Sequence, residues 1–93
     1  MASIRAIKKD IDYLLHEVIS NSYLTIWFHP ERRDDVVRVM EEAVALRNDL
    51  IARAGNPVEK NNPRLVRRHY GQIRRELLAG ADALFRKISE LCK

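Results

Sequence analysis

Apolar residues recur along this chain at steps of three and four, the period of an amphipathic helix, in three separate runs. In the first, Ile4, Ile7, Ile11, Leu14, Leu15, Val18 and Ile26, with Ser22 among them, fall on one face at about 100° per residue. Ser3 stands where an N-cap belongs. His29-Pro30 ends the run, because proline disfavours helical geometry in the residue before it. The pattern predicts a helix over about 4–28.

The second run is Val36, Val39, Met40, Ala43, Leu46, Leu50, Ile51 and Ala54. Pro30 suits the first turn of its helix, and Glu31, Asp34 and Asp35 complement the positive end of the helix dipole. Gly55 is placed as a left-handed C′ residue, with Asn56-Pro57 blocking continuation. This predicts a helix over about 31–54, its outer face carrying the i,i+4 pairs Asp34/Arg38, Arg38/Glu42 and Asp49/Arg53.

Residues 56–62 are the one linker of any length. Asn62-Pro63 reads as an N-cap followed by proline at N1. Val66, Tyr70, Ile73, Leu77, Ala81, Leu84, Ile88 and Leu91 then trace a seam with alternating steps of three and four, predicting a helix over about 63–91. Short connections make consecutive helices antiparallel neighbours. The expected architecture is one all-α domain over 1–93, an up-down-up three-helix bundle.

One stretch departs from this economy. Tyr23-Leu24-Thr25-Ile26-Trp27-Phe28 has strand-like content, but no partner strand is in sight, so it is read as helix. There Ile26 points to the seam while Leu24 and Trp27, with Tyr13 further back, point roughly the opposite way. A helix that is apolar all round needs neighbours all round, and in a three-helix monomer the first helix has only two. Tyr13, Leu24, Trp27 and Phe28 are therefore expected to form an exposed patch of the kind that marks interaction surfaces, most simply in a helical homodimer. The alternative is that the second helix or the turn over 29–33 folds back and covers them.

Composition agrees with a small globular chain: 93 residues, 46% apolar and 32% charged, with only three glycines and three prolines to punctuate it. A core of this size is marginal alone, and a partner subunit would help. The lone Cys92 excludes an internal disulfide and a cysteine-based zinc cluster, and suits a reducing compartment. The N-terminus lacks the pattern of a secretory signal, and no apolar stretch is long enough for a membrane span. The expected address is the cytoplasm, away from membranes.

Catalytic chemistry finds little foothold. His16-Glu17-Val18-Ile19-Ser20 opens like a zinc-protease motif but has Ser20 where the second imidazole must stand. Glu-x-x-His pairs for a di-iron bundle are absent from the sequence. Asp12 and His16 are i,i+4, a spacing that serves a surface salt bridge more often than a metal. Ser20, Ser22 and Ser89 fall within helices and Cys92 near the chain's end, so no tight turn presents a nucleophile. No glycine-rich phosphate loop occurs. The reading is a protein that is not an enzyme and uses no cofactor.

Charge adds two candidates. Arg47 falls within the second helix's apolar stripe, where a guanidinium needs a partner or must snorkel to the edge. Antiparallel registers bring Asp12, Glu17 or Glu76 within reach, making a buried ion pair that sets register or joins a dimer, with a ligand anchor as the alternative. The net charge of +4 is uneven: residues 1–29 are neutral, 30–55 carry −1, and 56–93 carry +5. Arg64, Arg67, Arg68, Arg74 and Arg75, with Lys60 ahead of them, make the start of the third helix positive. Of these Arg64, Arg68 and Arg75 project away from the seam, as does Arg86. Such a stripe binds phosphates without sequence preference, but the signs of helix-turn-helix geometry and of an aromatic ladder are missing. A solvated basic face is the first reading and nucleic-acid contact the second.

The segments Phe28-His29-Pro30-Glu31, Met40-Glu41-Glu42-Ala43-Val44-Ala45-Leu46-Arg47-Asn48-Asp49-Leu50 and Asn62-Pro63 together resemble a family of short, uncharacterised bacterial helical proteins. The resemblance implies a stand-alone protein of the bacterial cytoplasm. It brings no activity and no site residue. The expectation is an interaction or regulatory protein that self-associates.

Overall fold

In the computed structural model, which describes residues 4–55 and 61–93, three long helices pack side by side in a rod of 51 × 17 × 16 Å. Helix α1 spans Ile4–Phe28, α2 spans Arg33–Gly55 and α3 spans Pro63–Leu91. A single 3₁₀ turn, Pro30–Arg32, joins the first two. Among the described residues there is no strand, and Tyr23 to Phe28 complete α1 as helix. No described helix is long and apolar enough to cross a membrane.

Local chemistry accounts for most of the ends. The amide of His29 donates to Thr25 O at 2.7 Å, closing the last turn of α1 before Pro30 interrupts the ladder. Pro30 opens a 3₁₀ turn, so the α-helical part of the second element starts at Arg33, two residues later than the sequence pattern predicts. Asn62 Oδ1 accepts from the amides of Arg64 and Leu65 at 3.1 and 3.3 Å, and Pro63 at N1 needs no amide partner. Gly55 departs from expectation. It is the last residue of α2, without a positive φ, so it does not serve as a left-handed cap. The Ser3 cap, the Asn56-Pro57 stop and Lys60 lie outside the described residues.

The core is one cluster drawn from all three helices. Ile7, Ile11, Leu15 and Val18 of α1 meet Val39, Ala43, Leu50 and Ala54 of α2 and Tyr70, Ile73, Leu77, Ala81, Leu84 and Ile88 of α3. The predicted seam of α3 holds over its whole length, with Val66 and Leu91 half-buried at its ends. Contacts at the helix edges give the register. Asp12 of α1 pairs with Arg47 of α2, Asp10 of α1 with Arg74 of α3, and Glu42 of α2 with Lys87 of α3. Thus α1 and α3 run parallel and α2 runs against both, the up-down-up arrangement.

Toward its C-terminus α1 reverses the usual inside-outside rule. Its buried positions continue as Ser22 and Thr25, while Ile26 is only half-buried. The two hydroxyls donate back to Val18 O and Asn21 O at 2.8 Å, which satisfies them within α1.

A close approach between α2 and α3 occurs at Gly80, where a Cβ would lie 2.5 Å from Leu46 Cδ2. Glycine inside a helix costs about 0.5–1 kcal/mol relative to alanine, so its presence here fits the space that Leu46 occupies. In a double-mutant cycle, Gly80→Ala in the Leu46→Ala background is expected to stabilise the fold by about that amount. In the wild-type background the gain is expected to shrink or reverse, because Leu46 must move. Urea denaturation of the four proteins measures the coupling; additive effects would show that Leu46 does not constrain position 80.

Candidate interaction surface on the first helix

The phase of α1 determines what faces outward. With Ile7, Ile11, Leu15, Val18, Ser22 and Thr25 inside, the helical period places Tyr13, Tyr23, Leu24, Trp27 and Phe28 on the remaining surface. All five are 56 to 80% exposed, Trp27 the most. The expected patch of Tyr13, Leu24, Trp27 and Phe28 is therefore on the surface, and neither α2 nor the 29–33 turn covers it. Tyr23, which the sequence places in the same apolar stretch but not in the patch, belongs with it, and a second step pattern carries it: Tyr13, His16, Ser20, Tyr23 and Trp27 follow at three, four, three and four.

The patch has two sides. Leu24 and Phe28 lean toward α3, where with Asn21, Thr25, His29, Phe85, Ile88, Ser89 and Cys92 they line a groove of about 430 Å³ at the end of the bundle. The Cys92 Sγ lies 3.6 Å from Thr25 Oγ1 there. On the α2 side, Asp12, Tyr13, Leu15, His16 and Ile19 face Ala43, Val44 and Arg47 across a second groove, of about 480 Å³. Its walls are mainly hydrocarbon, and Val44 adds an exposed apolar residue from α2. Tyr13 lies about 16–21 Å along the helix from Leu24 and Trp27 at 1.5 Å per residue, so the five residues form a cluster with one outlier.

Arg47 corrects the expectation of a buried ion pair. Its Nε donates to Asp12 Oδ1 at 2.7 Å, so one of the three anticipated partners is right, but the guanidinium-bearing side chain is 44% exposed. The aliphatic stem runs out of the stripe and delivers the charge to the α1–α2 edge, where Nη1 also reaches Asn48 Oδ1 at 3.2 Å. No desolvated charge remains to be compensated.

The stronger pair was not anticipated. Arg53 Nη1 and Nη2 donate to Glu76 Oε2 and Oε1, both at 2.8 Å, in a bidentate fork between α2 and α3, and Nη2 also meets Asp49 at 3.2 Å. Arg53 O is joined to His69 Nε2 at 2.7 Å. Hydrogen bonding to Arg53 holds the Glu76 carboxyl below its ordinary pKa, and the same bond raises that of Arg53. Sequence spacing gave Arg53 to Asp49 on its own helix and offered Glu76 to Arg47. The expected Asp34/Arg38 and Arg38/Glu42 pairs do not form: Arg38 lies 3.7 Å from Asp35, and Glu42 crosses to Lys87 at 2.8 Å.

Arg64, Arg68 and Arg75 are exposed along the outer face of α3, over about 16 Å of helix at 1.5 Å per residue. Arg75 Nη2 bonds to Gln72 Oε1 at 3.2 Å, whereas Arg64, Arg67 and Arg68 have no carboxylate partner among the described residues. No acidic residue stands in the first turn of α3. Arg74 turns to Asp10 and Arg86 to Asp82, which removes both from the stripe. Among the described residues, no three His, Cys, Asp or Glu side chains gather as a metal-binding group.

Because the pKa of Glu76 is depressed in the fold, its pair contributes fully above the unfolded carboxylate range and is lost as pH falls through the lowered folded value. Both side chains are about a third exposed, so screening limits the contribution to about 1 kcal/mol or less. Glu76→Gln is expected to lower stability by that amount at pH 7 and by progressively less as pH falls below the carboxylate range; denaturation over an acidic pH series checks it. Comparison of the chain with known protein families, characterised proteins and solved structures gave no match.

Proposed function

We propose that this chain is a non-catalytic interaction or regulatory protein that works as a self-associated helical bundle, with the outer face of α1 as its contact surface. The observation that carries the reading is the reversal in the last two turns of α1, where Ser22 and Thr25 are buried and Tyr23, Leu24, Trp27 and Phe28 are exposed. Aromatic side chains bury 150–250 Å² each, so this face with Tyr13 offers roughly 600 Å² per protomer. A standard interface takes about 800 Å² from each partner, which the flanking side chains can supply. Aromatic anchors amid polar residues are also the composition of interface hot spots. The setting that goes with this reading is a bacterial cytoplasm, as the resemblance to short helical proteins implies, with Cys92 reduced.

A second reading has its own support. Arg64 stands in the first turn of α3, which holds no carboxylate, so its charge opposes the helix dipole, and Arg67 and Arg68 follow one turn on, a placement that suits an external polyanion such as a nucleic acid. If Arg64, Arg68 and Arg75 each meet a phosphate, duplex binding falls with salt at a logarithmic slope of about −3. Absence of binding at low ionic strength removes this reading.

Sedimentation equilibrium from micromolar to millimolar protein tests the first. A dimer is expected, with Trp27, the only tryptophan, shifting its emission to the blue as the dimer forms. A monomer across the whole range overturns self-association.

A further inference from the structure

The two ends of the rod differ in charge, a property assembled from all three helices and hidden in any one stretch of sequence. The end built from residues 4–16, 44–55 and 61–80 carries ten basic and four acidic side chains, whereas the other, 17–43 and 81–93, carries six and eight. At the basic end all four carboxylates are engaged: Asp10 with Arg74, Asp12 with Arg47, and both Asp49 and Glu76 with Arg53. Arg5 and Lys9 of α1 and Arg64, Arg67, Arg68 and Arg75 of α3 remain exposed there without a carboxylate partner among the described residues.

Amid these charges α3 carries Gly71. Glycine weakens a helix relative to alanine, and at Gly80 the space taken by Leu46 accounts for it. Among the described residues no packing accounts for Gly71, because a Cβ there would meet only Arg75 Nη1, at an ordinary 3.6 Å. Arg67 stands one turn before it, and Arg74, three residues after it, reaches across to Asp10 of α1. Gly71 therefore lies on the flank of α3 nearest α1, a bare piece of backbone ringed by Arg67, Arg74 and Arg75. A glycine so placed lets a ligand approach the helix backbone closely.

Resting on the second reading above, we infer that this ligand is a DNA duplex held against the basic end, one strand of its backbone crossing α3 at Gly71, with the surrounding arginines and Lys9 of α1 on its phosphates. Guanidinium forks match phosphate oxygens two at a time. The start of α3 fits the groove beside that strand: Asn61 to Leu65, Arg67 and Arg68 are all exposed, and Arg64 lies about 10 Å along the helix from Gly71 at 1.5 Å per residue. A B-form major groove, about 12 Å wide, admits a helix, whereas that of an RNA duplex is too narrow. A lipid surface suits this end less, because Trp27 and Phe28, the aromatics that would enter it, are at the other end.

Two variants test the geometry. Gly71→Gln fills the bare site without changing charge, and Lys9→Gln removes the cation on the α1 side. Anisotropy of a labelled DNA duplex titrated with the full chain over a salt series reads binding, and thermal unfolding reads the fold. Gly71→Gln is expected to raise Tm, since glutamine is the better helix former, yet to weaken binding about tenfold. Lys9→Gln is expected to reduce the logarithmic salt slope by about 0.9. If the wild-type chain binds but Gly71→Gln binds as tightly, Lys9→Gln leaves the slope unchanged, or an RNA duplex is held more tightly than DNA, the inference is overturned while the nucleic-acid reading stands. A wild-type chain that fails to bind at low ionic strength, or prefers phosphatidylserine vesicles to DNA, overturns both.

Discussion

Helical phase is the constraint from which the rest of this molecule follows. A straight helix has one rotation about its axis, and in α1 the Ile7–Ile11–Leu15–Val18 face is committed to the core. Once that is so, residues 22 and 25 must also point inward and residues 23, 24, 27 and 28 outward, whatever their chemistry. The buried hydroxyls of Ser22 and Thr25 are tolerable because each bonds to the carbonyl one turn back. They contribute little hydrophobic stabilisation. A buried large apolar side chain supplies about 1.5–3 kcal/mol, and here such side chains stand on the other face.

The charged residues show the same discipline at the helix edges. Ion pairs between helices join Asp12 to Arg47, Asp10 to Arg74, Arg53 to Glu76 and Glu42 to Lys87, one or more along each of the three seams. Each is a third to a half exposed, so none demands the heavy desolvation of a fully buried charge and none supplies a large stabilisation. Their value is registration: with cores of small and branched aliphatics, a one-turn slip between helices is opposed by separating these pairs. Arg53 and Glu76 do this most strictly, since a bidentate fork has little angular freedom.

Most of the fold was legible because proline and periodicity are local signals. Pro30, Asn62 and Pro63 mark helix boundaries through their own backbone chemistry, and the α3 seam is a one-dimensional pattern. What escaped depends on distance or on rotamers. Gly55 looks like a left-handed cap, but its backbone remains helical. Arg47 sits in the apolar stripe by Cα position, yet its stem carries the charge out, a freedom no wheel diagram contains. Glu76 and Arg53 are 23 residues apart, and their meeting requires the register of two helices to be known first. For the surface, the all-round apolar character of α1 sufficed to expose Tyr13, Leu24, Trp27 and Phe28. The groove beside His16 escaped for a different reason, because a recess is made by two helices.

The distribution of side chains in α1 also bears on what is being optimised. A chain serving only as a monomer would gain from an apolar side chain that fits at position 22 or 25 and from polar ones at the exposed positions beside them. Those changes would enlarge the core and shrink the exposed apolar area. The actual arrangement forgoes both advantages in the same two turns. A surface that costs stability in the isolated bundle has a physical rationale when its apolar area is buried by association, where each aromatic recovers its transfer free energy and excludes water from its neighbours. The same logic does not extend to the α3 arginines, whose exposure costs nothing comparable in water. Their position costs little in water beyond the opposition of Arg64 to the helix dipole, whereas the exposed Trp27 leaves its apolar area unburied in the isolated bundle.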